Sequence, residues 1–155
     1  MNVFFMKKAC KLAEISVEKK GGPFGCVIVD KDDYIIAEGH NCVTENNDPT
    51  AHAEMVTIRK ACSVVNNYNL KGCKLYSRSE PCSMCLSAIY WARIDKVYYG
   101  NSVQEAKEIG FDDDFIYEEI KKKKEERMIE MKRIEIEESS KAFDEWKKKE
   151  SKKEY

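Results

Sequence analysis

The sequence predicts an α/β fold, a layered sheet with helices on both faces. Two observations carry that expectation. Helical-period segments alternate with short β-rich runs in the order helix, strand, strand, helix, strand, helix, strand. In the second half of this run strands and helices alternate, as right-handed βαβ crossovers require. At 155 residues the chain suits one domain, spanning 1–155, with a proper core.

The elements follow in order. Residues 2 to 19 place Val3, Phe5, Met6, Ala9, Leu12, Ala13, Ser16 and Val17 at helical spacing with lysines between them, an amphipathic helix that Gly21-Gly22-Pro23 ends. Phe24 to Asp30 and Ile35 to Gly39 are β-rich runs separated by Lys31-Asp32-Asp33, which reads as a hairpin. Asp48-Pro49-Thr50 reads as the start of a helix running to about Val65, because Asp or Thr caps orphan N–H groups and Pro fits the first turn. Lys74 to Ser77 is a strand, Pro81 to Arg93 a helix with Pro81 in its first turn, and Lys96 to Tyr99 a short strand. Beyond Gly100 the chain becomes more charged: helical stretches near 103–109 and 112–127, an alternating strand over Met131 to Ile136, and a final helix carrying Ala142, Phe143 and Trp146.

Composition narrows the function classes. The 27 basic and 28 acidic residues leave a net charge of −1, and the lysine runs are interleaved with glutamates. No broad basic face is visible for a long nucleic acid, so a small-molecule substrate is favoured. Seven cysteines, an odd number, with no apolar leader and no apolar run able to span a bilayer, argue for a reducing compartment, the cytoplasm, and against a membrane.

Chemistry concentrates in a split cluster, His52-Ala53-Glu54 and then Pro81-Cys82-Ser83-Met84-Cys85. One histidine and two cysteines make three protein ligands, and zinc with three protein ligands keeps a fourth position for water. Cys82 and Cys85, at i and i+3, share a helix face, and a helix N-terminus favours the thiolates that zinc requires. Glu54, two residues from His52, is badly placed to share the metal with it and better placed beside the bound water, as a proton carrier. Taken alone, C-x-x-C is often a redox pair or half of a structural zinc site, and H-x-E is common by chance. A structural Cys3His site would need one more of Cys10, Cys26, Cys42, Cys62 and Cys73; these show no second paired spacing and read as structural residues, most of them in apolar stretches. H-x-E followed by P-C-x-x-C resembles the known signature of the zinc nucleobase deaminases.

The chain resembles the small bacterial guanine deaminases of the cytidine-deaminase-like superfamily over nearly its whole length. Gly22 to Gly25, Asn41, Asp48 to Glu54, Glu80 to Leu86, Ala88 to Arg93, Gly110 to Asp114 and Lys152 to Tyr155 carry the likeness. Asn41 and both zinc motifs are shared with tRNA adenosine deaminases, whereas Tyr90-Trp91, Gly110 to Tyr117 and the Lys-Lys-Glu-Tyr end resemble the guanine branch. Arg78, within Ser77-Arg78-Ser79, departs from it, where small or uncharged residues are expected.

The resemblance implies a three-layer α-β-α fold with a five-stranded mixed sheet, one Zn2+ per subunit with a bound water or hydroxide, and a homodimer in which a C-terminal segment, about 138–155, crosses to the partner. It implies that Asn41 hydrogen-bonds a purine base, Asp113 contacts its polar edge, Tyr155 completes the neighbouring subunit's pocket, and Phe24 and Trp91 wall it. The reaction implied is hydrolysis of guanine to xanthine and ammonia, with Glu54 as proton shuttle. The alternatives are an adenosine-to-inosine deaminase acting on tRNA, a guanosine or cytosine deaminase, and a zinc-bound interaction protein without catalysis.

Overall fold

The computed structural model describes residues 2–154. The chain divides into two compact units, residues 1–115 and 116–155.

In the first unit, α1 (Val3–Glu18) is followed by β1 (Gly25–Val29), β2 (Ile35–His40), the single turn α2 (Val43–Asn46), α3 (Ala53–Val65), β3 (Lys74–Ser79), α4 (Ser83–Trp91), β4 (Lys96–Asn101) and α5 (Val103–Glu108). The strand order is β2-β1-β3-β4. β1 pairs antiparallel with β2 and β3, while β3 and β4, joined through α4, run parallel. The sheet is mixed, as expected.

Every residue of β1 is buried, because alternate side chains enter different cores. Val27 and Val29 pack with Phe5, Ala9 and Tyr76. Cys26 and Ile28 pack with Ala53, Ile58, Leu75 and Ile89, from α3, β3 and α4. One face of the sheet is thus closed by α1 and the other by α3 and α4, which is the three-layer arrangement. Gly25 marks the closest approach of α1: a Cβ there would collide with the carbonyl oxygen of Ala9 and stand 2.6 Å from the Ala13 nitrogen.

The second unit begins within α6 (Asp114–Lys121) and contains a short 3-10 turn (Lys124–Glu126) and α7 (Glu138–Lys148). The expected helix over 112–127 is therefore shorter and broken. The strand expected over 131–136 joins no ladder among the described residues, so the sheet has four strands and not five. The spacing of Ile134 and Ile136 suits an extended chain, but both side chains and that of Met131 are exposed, and without a paired edge they make no strand. α7 likewise leaves Phe143 and Trp146 exposed. No described helix is long and apolar enough to cross a membrane.

Candidate metal centre and active site

Two helices begin at the residues expected to hold metal. His52 is the N-cap of α3 and Cys82 the N-cap of α4; both have extended backbone, and neither side chain caps its own helix. Both helices start later than the prolines suggested. Asp48 Oδ1 accepts from the Thr50 N–H at 2.8 Å and its hydroxyl at 2.7 Å, which closes a turn at Asp48-Pro49-Thr50 instead of opening a helix. Pro81 precedes the N-cap of α4 instead of lying in its first turn.

The delayed starts leave the ligand side chains free to converge. One nitrogen of His52 and the sulfurs of Cys82 and Cys85 all lie within 4.8 Å of one another, and His52 Nδ1 is 3.6 Å from each sulfur. The hydrogen bond from Cys85, with that from His52, pulls Cys82 down to about 4, while the same bond and burial push Cys85 up. The Cys82 hydrogen bond raises His52 against the effect of its burial. One imidazole and two sulfurs, one already favoured as thiolate, form a donor set that fits zinc with an open fourth position.

Glu54 is 4% exposed in the first turn of α3. Its Oε1 accepts from the Ser77 hydroxyl at 2.8 Å, and its Oε2 lies 3.5 Å from Cys85 Sγ. Burial pushes the carboxyl up, and the Ser77 hydrogen bond opposes that push. Ser77 reaches Glu54 because it lies opposite Cys26 in the β1–β3 ladder, on the face closed by α3 and α4.

A cavity of about 710 Å³ opens beside these groups, lined by Phe24, Asn41, His52, Glu54, Cys82, Phe111 and Asp113 among others. Asn41 is 7% exposed; its N–H donates to the Phe24 carbonyl at 3.0 Å, its Oδ1 accepts from the Val43 N–H at 3.2 Å, and its carbonyl accepts from the buried Ser16 hydroxyl at 3.0 Å. Phe24 meets Phe111 edge to face, ring centroids 4.8 Å apart. Burial and the charge on Cys82 push Asp113 up.

The remaining expected residues fall elsewhere. Trp91 is not among the cavity-lining residues: it ends α4, 64% exposed, where the helix has turned its side chain away from the N-terminal end that bears the cysteines. Arg78 is also outside the lining; its neighbours Ser79 and Glu80 contribute instead. Tyr155 lies outside the described residues. Sequence reasoning gave no role to Ser77 or Phe111. It also read Cys42 as structural, whereas the structure gathers Cys42 with His40 and Glu45. Cys26 and Cys73 are buried, but Cys10 is exposed.

Residues 2–101 match the cytidine and deoxycytidylate deaminase zinc-binding region. The chain belongs to the cytidine and deoxycytidylate deaminase family. Within this family it is 53% identical to the guanine deaminase of Bacillus subtilis (strain 168) over 152 residues, 97% of each chain. The X-ray structure of guanine deaminase from Bacillus subtilis superposes with a TM-score of 0.95 at 52% identity, covering 100% of this chain and 99% of that one. Likeness to a tRNA-specific adenosine deaminase of Aquifex aeolicus (strain VF5), 46% over 96 residues, covers 62% of this chain and 63% of that protein. As a member of this zinc-binding deaminase family, the chain has in His52, Cys82 and Cys85 a group able to hold one zinc.

Proposed function

We propose that this chain catalyses the hydrolytic deamination of guanine to xanthine and ammonia. The near-full-length likeness to a guanine deaminase carries the reading. That likeness extends past residue 101, where the zinc-binding region ends, through the segment that brings Phe111 and Asp113 to the cavity. The likeness to a tRNA-specific adenosine deaminase covers only part of the chain.

Zinc held by His52, Cys82 and Cys85 would lower the pKa of a water at its open position to about 7, supplying hydroxide at neutral pH. The chain's own groups do the rest. Phe24 and Phe111 offer apolar walls to a flat ring. Asn41 has its Oδ1 engaged by Val43, so its amide N–H groups are the donors presented to acceptors on the purine. Asp113 offers an acceptor to the purine's N–H edge. Glu54 takes the water proton on its carboxylate and delivers it to the ring nitrogen beside C2 as oxygen adds to that carbon. It then takes the remaining proton from the hydroxyl added at C2 and passes it to the amine, so that C2=O forms as the C2–N bond breaks and guanine and water become xanthine and ammonia. Ser77 holds Oε1 of Glu54 throughout, which leaves Oε2 as the oxygen that carries the proton.

The same reading places the protein in the cytoplasm as a homodimer. Residues 138–155 cross to a partner subunit, Phe143 and Trp146 of α7 find cover there, and Tyr155 completes the neighbouring pocket. The exposure of both aromatic side chains supports it.

The test incubates zinc-loaded protein with guanine and follows xanthine and ammonia, with guanosine, adenine, cytosine and a tRNA anticodon stem-loop in parallel. Xanthine is the expected product. Turnover of the stem-loop without turnover of guanine would overturn the substrate assignment and leave the zinc chemistry in place.

A further inference from the structure

Besides the group at His52, a second set of ligand-type side chains converges. One nitrogen of His40, Cys42 Sγ and a carboxylate oxygen of Glu45 lie within 4.8 Å of one another. His40 is the last residue of β2, held in register opposite Gly25, Cys42 is the N-cap of α2, and Glu45 lies in the first turn of that helix. A strand end, a connector and a helical turn therefore supply one donor each. His40 Nδ1 lies 3.0 Å from the Asn41 carbonyl and 3.6 Å from Cys42 Sγ, and the thiol donates to the His40 carbonyl at 3.4 Å, so the thiol is folded back toward the imidazole instead of outward. His40 and Cys42 are partly buried and Glu45 is exposed, which gives a site with one open side.

The donor chemistry selects the occupant. A neutral imidazole, a thiolate and a carboxylate together neutralise a divalent charge. A nitrogen-sulfur-oxygen set suits Zn2+ and similar borderline ions, whereas Ca2+ and Mg2+ prefer oxygen donors throughout. Three protein ligands leave a coordination position for water on the exposed side. Burial and the neighbouring Glu45 carboxylate push the Cys42 thiol up, with Lys60 and Lys19 opposing them, so metal binding here displaces a proton.

We propose that His40, Cys42 and Glu45 bind a second Zn2+-class divalent cation, distinct from the one at His52. The position gives it a consequence. Asn41, whose side chain lines the cavity, lies between two of the three ligands. A cation held by His40 and Cys42 clamps the main chain on both sides of it.

Metal content of the full-length protein tests this without reference to the substrate. Protein equilibrated with excess Zn2+ and dialysed against zinc-free buffer is expected to hold two zinc ions per chain by elemental analysis. Cys42→Ser and His40→Ala are each expected to hold one, and Cys82→Ser in the same assay to lose the other. Glu45→Ala alters an exposed side chain and so leaves folding intact; it is expected to release the second zinc at a lower chelator concentration. Native protein holding a single zinc, or Cys42→Ser retaining two, would overturn the proposal. Either result would leave the assignment of His52, Cys82 and Cys85 standing.

Discussion

The hydroxyl of Ser77 donates a 2.8 Å hydrogen bond to Oε1 of Glu54, joining the middle of the sheet to the first turn of α3 in a fully buried contact. A buried carboxylate with one oxygen fixed has one oxygen left to move a proton. Ser77→Ala is therefore expected to lower kcat about tenfold, roughly 1.4 kcal/mol of barrier, the size of one hydrogen bond to a charged group. KM should hardly change, since Ser77 is not among the cavity-lining residues, and Ser77→Thr should restore turnover. Steady-state kinetics of the two variants decide it; an alanine variant with native kcat would remove Ser77 from the machinery.

Glu54→Gln keeps the size of the side chain and its acceptor for Ser77 while abolishing its capacity to carry a proton. Zinc content and melting temperature should match the native protein. Turnover should fall by ~10²–10⁴, the range of general acid–base assistance. Native turnover in a zinc-replete variant would refute the shuttle.

Cys82→Ala removes the sulfur that carries the thiolate charge and leaves His52 and Cys85 as an incomplete pair. Zinc at this centre should be lost on dialysis, and with it the stabilisation that a ligand binding only the folded state confers. Elemental analysis and thermal melting, with and without added zinc, check both. Unchanged zinc content would refute the ligand assignment.

The parts of the site legible in the sequence are those that local geometry nearly decides. Cys82 and Cys85, three apart, share a face of any helix that begins near them, and Glu54, two residues from His52, falls near the ligand without sharing its face. Where the helices begin was less legible, because Asp48 spends its acceptor on Thr50 in a turn instead of on a helix. Contacts made through the tertiary fold left little trace. Ser77 meets Glu54 only because β3 pairs with β1 in one particular register, and Phe111 reaches Phe24 from 87 residues away along the chain. The missing fifth strand has the same origin: an alternating pattern over 131–136 favours extension, but pairing needs an edge that the pattern does not name.

Gly25 is required by packing and not by a turn. A methyl group there would press on the Ala9 carbonyl and the Ala13 nitrogen, backbone atoms of α1 that cannot rotate away. Gly25→Ala should destabilise the protein by about 1–3 kcal/mol, the cost of overpacking, lowering the melting temperature by several degrees. Thermal denaturation checks it. An unchanged melting temperature would mean that α1 shifts freely on the sheet.

α5 brings Val103 and Ala106 to the cavity, and its start is fixed by a reciprocal cap. The Ser102 hydroxyl accepts from the Glu105 N–H, while the Glu105 carboxylate accepts from the Ser102 N–H at 2.8 Å. The Ser102 N–H, with help from Asn101 and the Ser102 hydroxyl, lowers the Glu105 carboxyl below its ordinary 4.5. A carboxyl whose folded pKa is depressed stabilises the fold above its unfolded pKa and loses that contribution as pH falls through the folded value. Glu105→Gln should therefore melt below the native protein at pH 7, and the gap should begin to narrow as the pH drops below about 4.5 and close below the depressed folded value, where the native carboxylate also becomes neutral. Paired melting curves across that range isolate Glu105 from every other acid-sensitive group, because both proteins share the rest. A gap that stays constant with pH would mean that the carboxylate charge contributes nothing to the cap.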